Sequence, residues 1–352
     1  MTETINALYG TNTNADGIDI EAIAQEFTDY LNEFHSYQQP YDDEMDAKLY
    51  EQFAGILRKQ AKWGYFDWSK KRPYFGPSSA GRSDRELYEK VRKSPRDNTK
   101  PQPQQRRWTA LGEQIGGLVQ REIMLAERHY PKFTGKPSRF RFKRNSEGAP
   151  LYEHFTKKMH EVNYDGEEFA IFGLGDGILE YLTDDGEWLP IGLEVKSRQT
   201  SYAETSKARM QEVKSDHRLQ TVCYGEMYGL NYFLTIYLNS SKKAWNMTDE
   251  ERVKSPDFRV FGYEITEDEK NEVKAKFARV TRMAREGKAP KVELESWLFN
   301  DYKTHIAKSL TDEEYEELRQ QALLMQNSGL PDWKKRQYAQ AVDFITQTRE
   351  SV

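Results

Sequence analysis

The sequence predicts an α/β fold with helical ends, and three observations carry that reading. Hydrophobic periodicity changes along the chain from helical to extended spacing and back. Five strand-like runs and a tight turn are gathered in the middle of the chain, with helical patterns between and around them. Two capping boxes, Thr266 with Glu269 and Thr311 with Glu314, mark helices toward the C-terminus.

Taken in order, the first helix begins after Asp19, an N-cap residue, and buries Ile20, Ile23, Phe27, Leu31 and Phe34 at helical spacing. The stretch Trp63–Pro77 mixes Tyr, Trp, Pro and Gly and reads as irregular, and residues 82–92 as a short helix. KSPRDNTKPQPQQRR (93–107) is polar, basic and proline-rich, which predicts a loop. Trp108–His129 is helical in pattern, with Leu111, Ile115, Leu118 and Ile123 apolar. EEFAIFG (167–173), DGILEYL (176–182) and EWLPIGLEV (187–195) predict strands, the last two joined by the turn TDDGE (183–187). A helix over about 208–228, strands at 231–239 and 258–265, and helices running toward about 284 and 327 complete the reading. The expected organisation is an N-terminal helical region (1–77), a core (78–265) with the basic loop 93–107 inside it, and a C-terminal helical region (266–352). RFRFKR (139–144) alternates basic and aromatic residues, as an edge strand or a nucleic-acid-tracking strand would.

Composition narrows the function classes. The net charge of −5 gives no overall basic character, so a nucleic-acid partner requires a local patch. A single cysteine, Cys223, excludes a disulfide framework and a thiolate-built metal cluster, and reads as a small buried hydrophobe. No apolar run is long enough to span a bilayer and no basic-then-apolar leader opens the chain, so a cytoplasmic setting without a membrane partner is expected.

The chemistry concentrates in three places. Glu194 and Lys196 are two apart on one predicted strand and share a face, with Val195 turned to the core. Asp176 opens the neighbouring strand across the turn, where antiparallel pairing brings it close to both. Two carboxylates at that distance repel unless a cation sits between them, and hard oxygen ligands favour Mg²⁺ or Mn²⁺. Such a cation polarises a phosphodiester and acidifies water, while Lys196 orients that water or neutralises developing charge. Two surface carboxylates and a solvated lysine produce the same D…ExK spacing. The runs GLGDGILEYL (173–182) and GLEVKSR (192–198) set this instance apart, because charges embedded in apolar strands are costly. Gln220 and Tyr224, four apart, share a helical face, and Lys207, Arg209, Lys214, His217 and Arg218 precede or flank them. That basic run suits a phosphate backbone, and equally a solvated face.

GLGDGILEYL, GLEVKSR and DHRLQTVCYGEMYG (216–229) together resemble the PD-(D/E)xK nucleases of the RecB-like branch, which includes phage recombination exonucleases. The resemblance covers roughly residues 78–305. It implies a restriction-endonuclease-like core, a central mixed sheet flanked by helices. It further implies one or two divalent ions on Asp176, Glu194 and the Val195 carbonyl, with Lys196, Gln220 and Tyr224 completing the site. The family's first helix carries a metal ligand where this chain has Gly116, so Glu113 or Glu122 is the candidate replacement. Ser83, Asn300, Asp301 and His305 stand where iron–sulphur members carry cysteines, so no such cluster is expected. Arg82, Arg85, Arg198, Lys207, Lys214 and Arg218 are candidate DNA contacts. The implied function is DNA hydrolysis at linear ends or on single strands, in recombination, repair or phage DNA processing. A host-cell cytoplasm would be the setting if the chain is phage-encoded, with a recombination or replication protein or a second copy as possible partner. An endonuclease of the same superfamily and a non-catalytic DNA-binding or assembly protein, favoured by Gly116, are the alternatives. A glycosidase acid/base pair leaves Lys196, Gln220 and Tyr224 without roles.

Overall fold

The computed structural model describes residues 17–62, 66–98 and 100–351; Trp63, Gly64 and Tyr65 of the irregular stretch and Thr99 of the basic segment lie outside them. In chain order the elements begin with α1 (Ile20–His35), α2 (Asp43–Gln60), β1 (Tyr74–Phe75), α3 (Asp84–Arg92) and α4 (Pro103–Thr134). The strands β2 (Phe140–Phe142), β3 (Lys158–Tyr164), β4 (Glu167–Gly173), β5 (Gly177–Leu182) and β6 (Trp188–Arg198) follow. Next come α5 (Ser215–Tyr228), β7 (Tyr232–Asn239), α6 (Asp249–Lys254), β8 (Phe258–Glu264) and α7 (Glu267–Glu286). The chain ends with α8 (Lys303–Ser309), α9 (Asp312–Gln326) and α10 (Asp332–Glu350). The fold is mixed α/β, with a central mixed sheet flanked by helices and helical extensions, as the sequence predicts.

These elements form two compact units interleaved in sequence. The first takes residues through Lys70, then 102–159 and 172–270; the second takes 71–101, 160–171 and 271–352. The division therefore runs across the three consecutive segments expected from sequence.

The first unit is built on a five-stranded sheet of order β2-β5-β6-β7-β8. Only β6 and β7 pair in parallel, and α5 makes the crossover between them. β7 is buried along almost its whole length, which explains its unbroken apolar run, since a central strand covered on both faces has no wet side to alternate with. α1 closes one side with Ile20, Ile23, Phe27, Leu31 and Phe34 in the core, and Asp19 accepts a bond from the Ala22 amide at 2.9 Å. Phe27 meets Phe140 edge-on with centroids 5.0 Å apart, tying α1 to the edge strand β2. The arginines of RFRFKR are spent on protein: Arg141 pairs with Glu180 and lies over Trp188, and Arg144 pairs with Glu127. The segment is a structural edge strand.

Three boundaries differ from expectation. α4 starts at Pro103, so the basic segment read as a loop through 107 ends at Gln102; proline suits a first helical position because its ring presets φ and its missing N–H had no partner there. α5 starts at Ser215, and residues 208–214 turn back beneath it, with the Arg209 and Met210 amides donating to the Ser206 carbonyl. β6 runs on to Arg198 because its parallel pairing with β7 extends to Asn239. α2 and β3 are additions that the sequence pattern does not announce.

In the second unit, β1, β4 and β3 form a three-stranded sheet. Asp165 and Gly166, at φ 51° and 76°, make the β3–β4 turn, a conformation that Asp-Gly adopts at little cost. Phe75 stacks on Phe277 at 4.3 Å. Leu294, Trp297, Ile306, Leu318, Tyr338 and Ile345 form the core of the C-terminal helices. Thr266 and Thr311 each exchange hydrogen bonds with the glutamate three residues on, as expected.

Two candidate DNA contacts fall in this unit, and both make bonds within the protein. Arg85 is 3 % exposed and gives its donors to Glu89, the Pro290 carbonyl and Ser309. Arg82 bonds Glu86 and the Phe299 carbonyl. Ser83 caps α3, Asn300 accepts from the Tyr302 amide, Asp301 pairs with Arg96, and His305 lies 3.5 Å from Glu89.

Candidate functional site

The site grows from the paired strands β5 and β6. Their register sets Gly177 opposite Leu193, so one step further puts Asp176 opposite Glu194. Directly opposed side chains on one face are close neighbours, and like charges there are unfavourable. Asp176 Oδ2 accepts the Val195 amide at 2.6 Å, so its carboxylate stands in for the next rung of the ladder. Two glycines on these strands make room for neighbouring aromatic rings. A Cβ on Gly177 would come within 2.5 Å of Phe142, and one on Gly192 within 2.2 Å of Phe233.

Glu194 is 2 % exposed. Its Oε1 receives the Lys196 ammonium at 2.6 Å, while its Oε2 is buried with no hydrogen-bond partner among the described residues. Lys196 in turn donates to Gln220 Oε1 at 2.9 Å, and Gln220 Nε2 reaches the Tyr224 hydroxyl at 3.3 Å. Tyr224 donates to the Leu174 carbonyl, two residues before Asp176. Asp176, Glu194, Lys196, Gln220 and Tyr224 thus form one connected chain of contacts, and all five line a single cavity of about 910 Å³.

The electrostatics of this cluster are those of an under-neutralised anion site. Burial, then the Glu194 charge, pushes the Asp176 carboxyl well above the usual carboxylate range. Burial pushes Glu194 up as well, against the pull of Lys196. For Lys196 burial works downward, but the charge of Glu194 and the bond to it outweigh burial and hold the ammonium above its ordinary value. Tyr224 is raised by burial and by Glu194, so it remains a donor. His217, bonded through Nδ1 to the Tyr237 hydroxyl at 2.8 Å, is pushed down to about 4 by burial and by Lys196, and stays neutral at physiological pH.

Among the described residues no group of three or more His, Cys, Asp or Glu side chains forms a ready-made metal cage. The donors present nonetheless fit a hard divalent cation: two mutually repelling carboxylates, one with a buried oxygen that no described residue satisfies. Mg²⁺ keeps several waters and takes one or two carboxylates, so a full protein cage is not required.

The outlying candidates separate. Glu113 is exposed on the cavity rim. Glu122 is turned away to Gln39 and His35, at 3.1 and 3.3 Å, and does not line the cavity. Gly116 lines it and leaves open space where a side chain would stand. Arg198 also lines the cavity; its guanidinium lies 4.8 Å over the Tyr237 ring, with Nε and Nη2 buried and without hydrogen-bond partners among the described residues. Arg218 is not a free cation: it holds Glu269 at 2.6 Å and the Glu264 carbonyl at 2.9 Å, fastening α5 to the start of α7. Lys207 and Lys214 are exposed and do not line the cavity.

Glu153 is the residue that sequence reasoning missed. It lines the same cavity, and its Oε1 accepts from Gln120 Nε2 at 2.9 Å. The same Gln120 nitrogen donates to the Asp176 carbonyl, also at 2.9 Å. Nothing in LYEHF (151–155) signals it, because the position depends on a turn and not on a periodic element.

No family model matches the chain, and a search of curated proteins finds no match. Among solved structures, the protein SSO0001 aligns over 78 % of this chain and 100 % of its own, at 14 % identity and a TM-score of 0.36. An alkaline exonuclease from Laribacter hongkongensis aligns over 61 % of this chain and 89 % of its own, at 10 % identity and a TM-score of 0.34. A phage-related exonuclease from Haemophilus somnus 129PT aligns over 61 % of this chain and 95 % of its own, at 9 % identity and a TM-score of 0.33.

Proposed function

We propose that this chain is a Mg²⁺- or Mn²⁺-dependent DNA nuclease that hydrolyses phosphodiester bonds at linear ends or on single strands. The observation that carries the reading is the buried oxygen of Glu194, which has no hydrogen-bond partner among the described residues, faces Asp176 and is flanked by Lys196. A divalent cation held by Asp176, Glu194 and the Val195 carbonyl would supply Lewis-acid polarisation of the phosphodiester. Lys196, kept charged and aimed by Gln220, neutralises charge that develops on the scissile phosphate. Tyr224 fixes the Leu174 carbonyl and so the entry of Asp176 into β5. Arg198 lies on the same strand face as Glu194 and Lys196 and brings a further positive charge to the cavity for a neighbouring phosphate. Leu49, Tyr50, Phe53 and Met124 on the cavity wall offer apolar and aromatic surface for unstacked bases, which favours ends and single strands over intact duplex.

End-labelled linear, circular and single-stranded DNA incubated with Mg²⁺ or Mn²⁺ tests this. Loss of linear or single-stranded but not circular duplex DNA is expected, and Asp176→Asn and Lys196→Ala should abolish it. Cleavage that survives both substitutions would overturn the proposal, and cation-independent DNA binding without cleavage would favour the non-catalytic reading.

A further inference from the structure

Glu153 sits in a backbone conformation that its side chain does not favour. Its φ is +46°, the left-handed region, which a residue with a Cβ occupies at a cost and keeps only where its surroundings over-determine it. Here they do. On one side, His154 is held at both ends by Gln60, which donates to its carbonyl at 2.7 Å and bonds its Nδ1 at 2.6 Å. On the other, the Thr156 hydroxyl lies between the Glu153 and Gly175 carbonyls at 2.8 and 2.7 Å, sharing its one hydrogen between them, and accepts the Gly175 amide at 3.0 Å. The Ile178 amide donates to the Leu151 carbonyl, so the segment before the turn runs along the start of β5. The strained turn is thereby fixed to the residue that precedes Asp176.

The side chain is held with equal care. Gln120 is 1 % exposed, and its single Nε2 bridges Glu153 Oε1 and the Asp176 carbonyl, while its own Oε1 is buried without a partner among the described residues. Glu153 Oε1 and the Asp176 carbonyl therefore lie within two hydrogen-bond lengths of each other. Three carboxylates, Asp176, Glu194 and Glu153, face one cavity, and within the polar chain described above only Lys196 carries positive charge. Strain of this kind gathers at functional sites, and a structural turn would be better served by glycine.

From these placements, and resting on the nuclease reading above, we propose that Glu153 is a third carboxylate of the divalent-cation site, presented by the strained turn and positioned by Gln120. It ligates a cation directly or through one of the cation's waters, a role that no side chain at Gly116 can take.

Manganese binding measures this without reference to cleavage. The full chain and its Glu153→Gln variant are titrated with Mn²⁺ by calorimetry, and bound ions are counted by electron paramagnetic resonance. Glu153→Gln keeps the side-chain length and an acceptor for Gln120, so its melting in metal-free buffer should match the parent. Its Mn²⁺ affinity should fall at least tenfold, or one bound ion should be lost. Glu153→Ala should give the same loss, and Gln120→Leu a smaller one. A Glu153→Gln variant that binds as many ions as tightly as the parent would overturn the assignment and leave the nuclease reading standing. A parent that binds no Mn²⁺ would overturn both.

Discussion

Asp176→Asn separates the demands of folding from those of the cation site. The amide is isosteric and keeps an oxygen to accept the Val195 amide, so geometry is preserved while the charge is removed. In the parent the folded carboxyl is raised by burial and by Glu194, so the native state binds this proton more tightly than the unfolded chain. Stability therefore falls as pH rises from the ordinary carboxylate range to the raised folded value, then levels off. The variant lacks this loss. Without metal the two should be equally stable at acid pH, with the variant pulling ahead as pH rises, by on the order of 1 kcal/mol for each unit by which burial raises the group. Added cation reverses the order. A hundredfold excess over its dissociation constant stabilises the parent by roughly 3 kcal/mol, about 5–10 °C in melting temperature for a unit of this size, and leaves the variant unmoved. Urea and thermal denaturation from pH 4 to 8, with and without Mg²⁺, read both effects. A variant less stable than its parent at pH 8 in metal-free buffer, or equally stabilised by Mg²⁺, would refute the reasoning.

Other substitutions probe the frame around the site. Gly192→Ala forces a Cβ to within 2.2 Å of the buried Phe233 ring and should cost about 1–3 kcal/mol in urea unfolding. Arg85→Ala leaves Glu89 charged and buried at 3 % side-chain exposure, so a loss of about 3–5 kcal/mol is expected, with DNA binding by the folded protein unchanged. Arg198→Gln should weaken binding of single-stranded DNA and lower the slope of log affinity against log salt by about one, read by filter binding. His217, held down near 4, favours folding fully above its unfolded value of about 6.5 and loses that contribution as pH falls toward 4. His217→Gln should flatten the stability profile across that window.

What the sequence made legible was whatever depends on regular period. Glu194 and Lys196 could be placed on one face from strand alternation alone, and Gln220 and Tyr224 from helical spacing; the structure joins all four with Asp176 in one cavity. Capping chemistry located Asp19, Thr266 and Thr311 because each pairs a specific side chain with a specific amide. Glu153 was illegible for the opposite reason: its position comes from a left-handed turn held by Gln60, Thr156 and Gln120, residues scattered over 97 positions of chain. Basic residues misled because charge says nothing about partners. Arg85, Arg141 and Arg218 look like phosphate contacts in sequence and prove to be held by carboxylates. Pro103 is ambiguous in sequence, because proline marks loops and equally opens helices, as it does here.

The interleaving of the two units bears on synthesis. Residues 71–101 and 160–171 belong to a unit whose remaining members, 271–352, leave the ribosome after them. At ordinary elongation rates of about 5–20 residues per second, β1, β3 and β4 wait many seconds for the helices that complete their unit. During that interval Phe75 and Phe169, fully buried at the end, have no Phe277 to pack against. Nascent chains halted before residue 271 should therefore recruit chaperones. A truncated product that drops the C-terminal helices would strand two interior segments of the polypeptide, and neither unit can be excised as one continuous fragment.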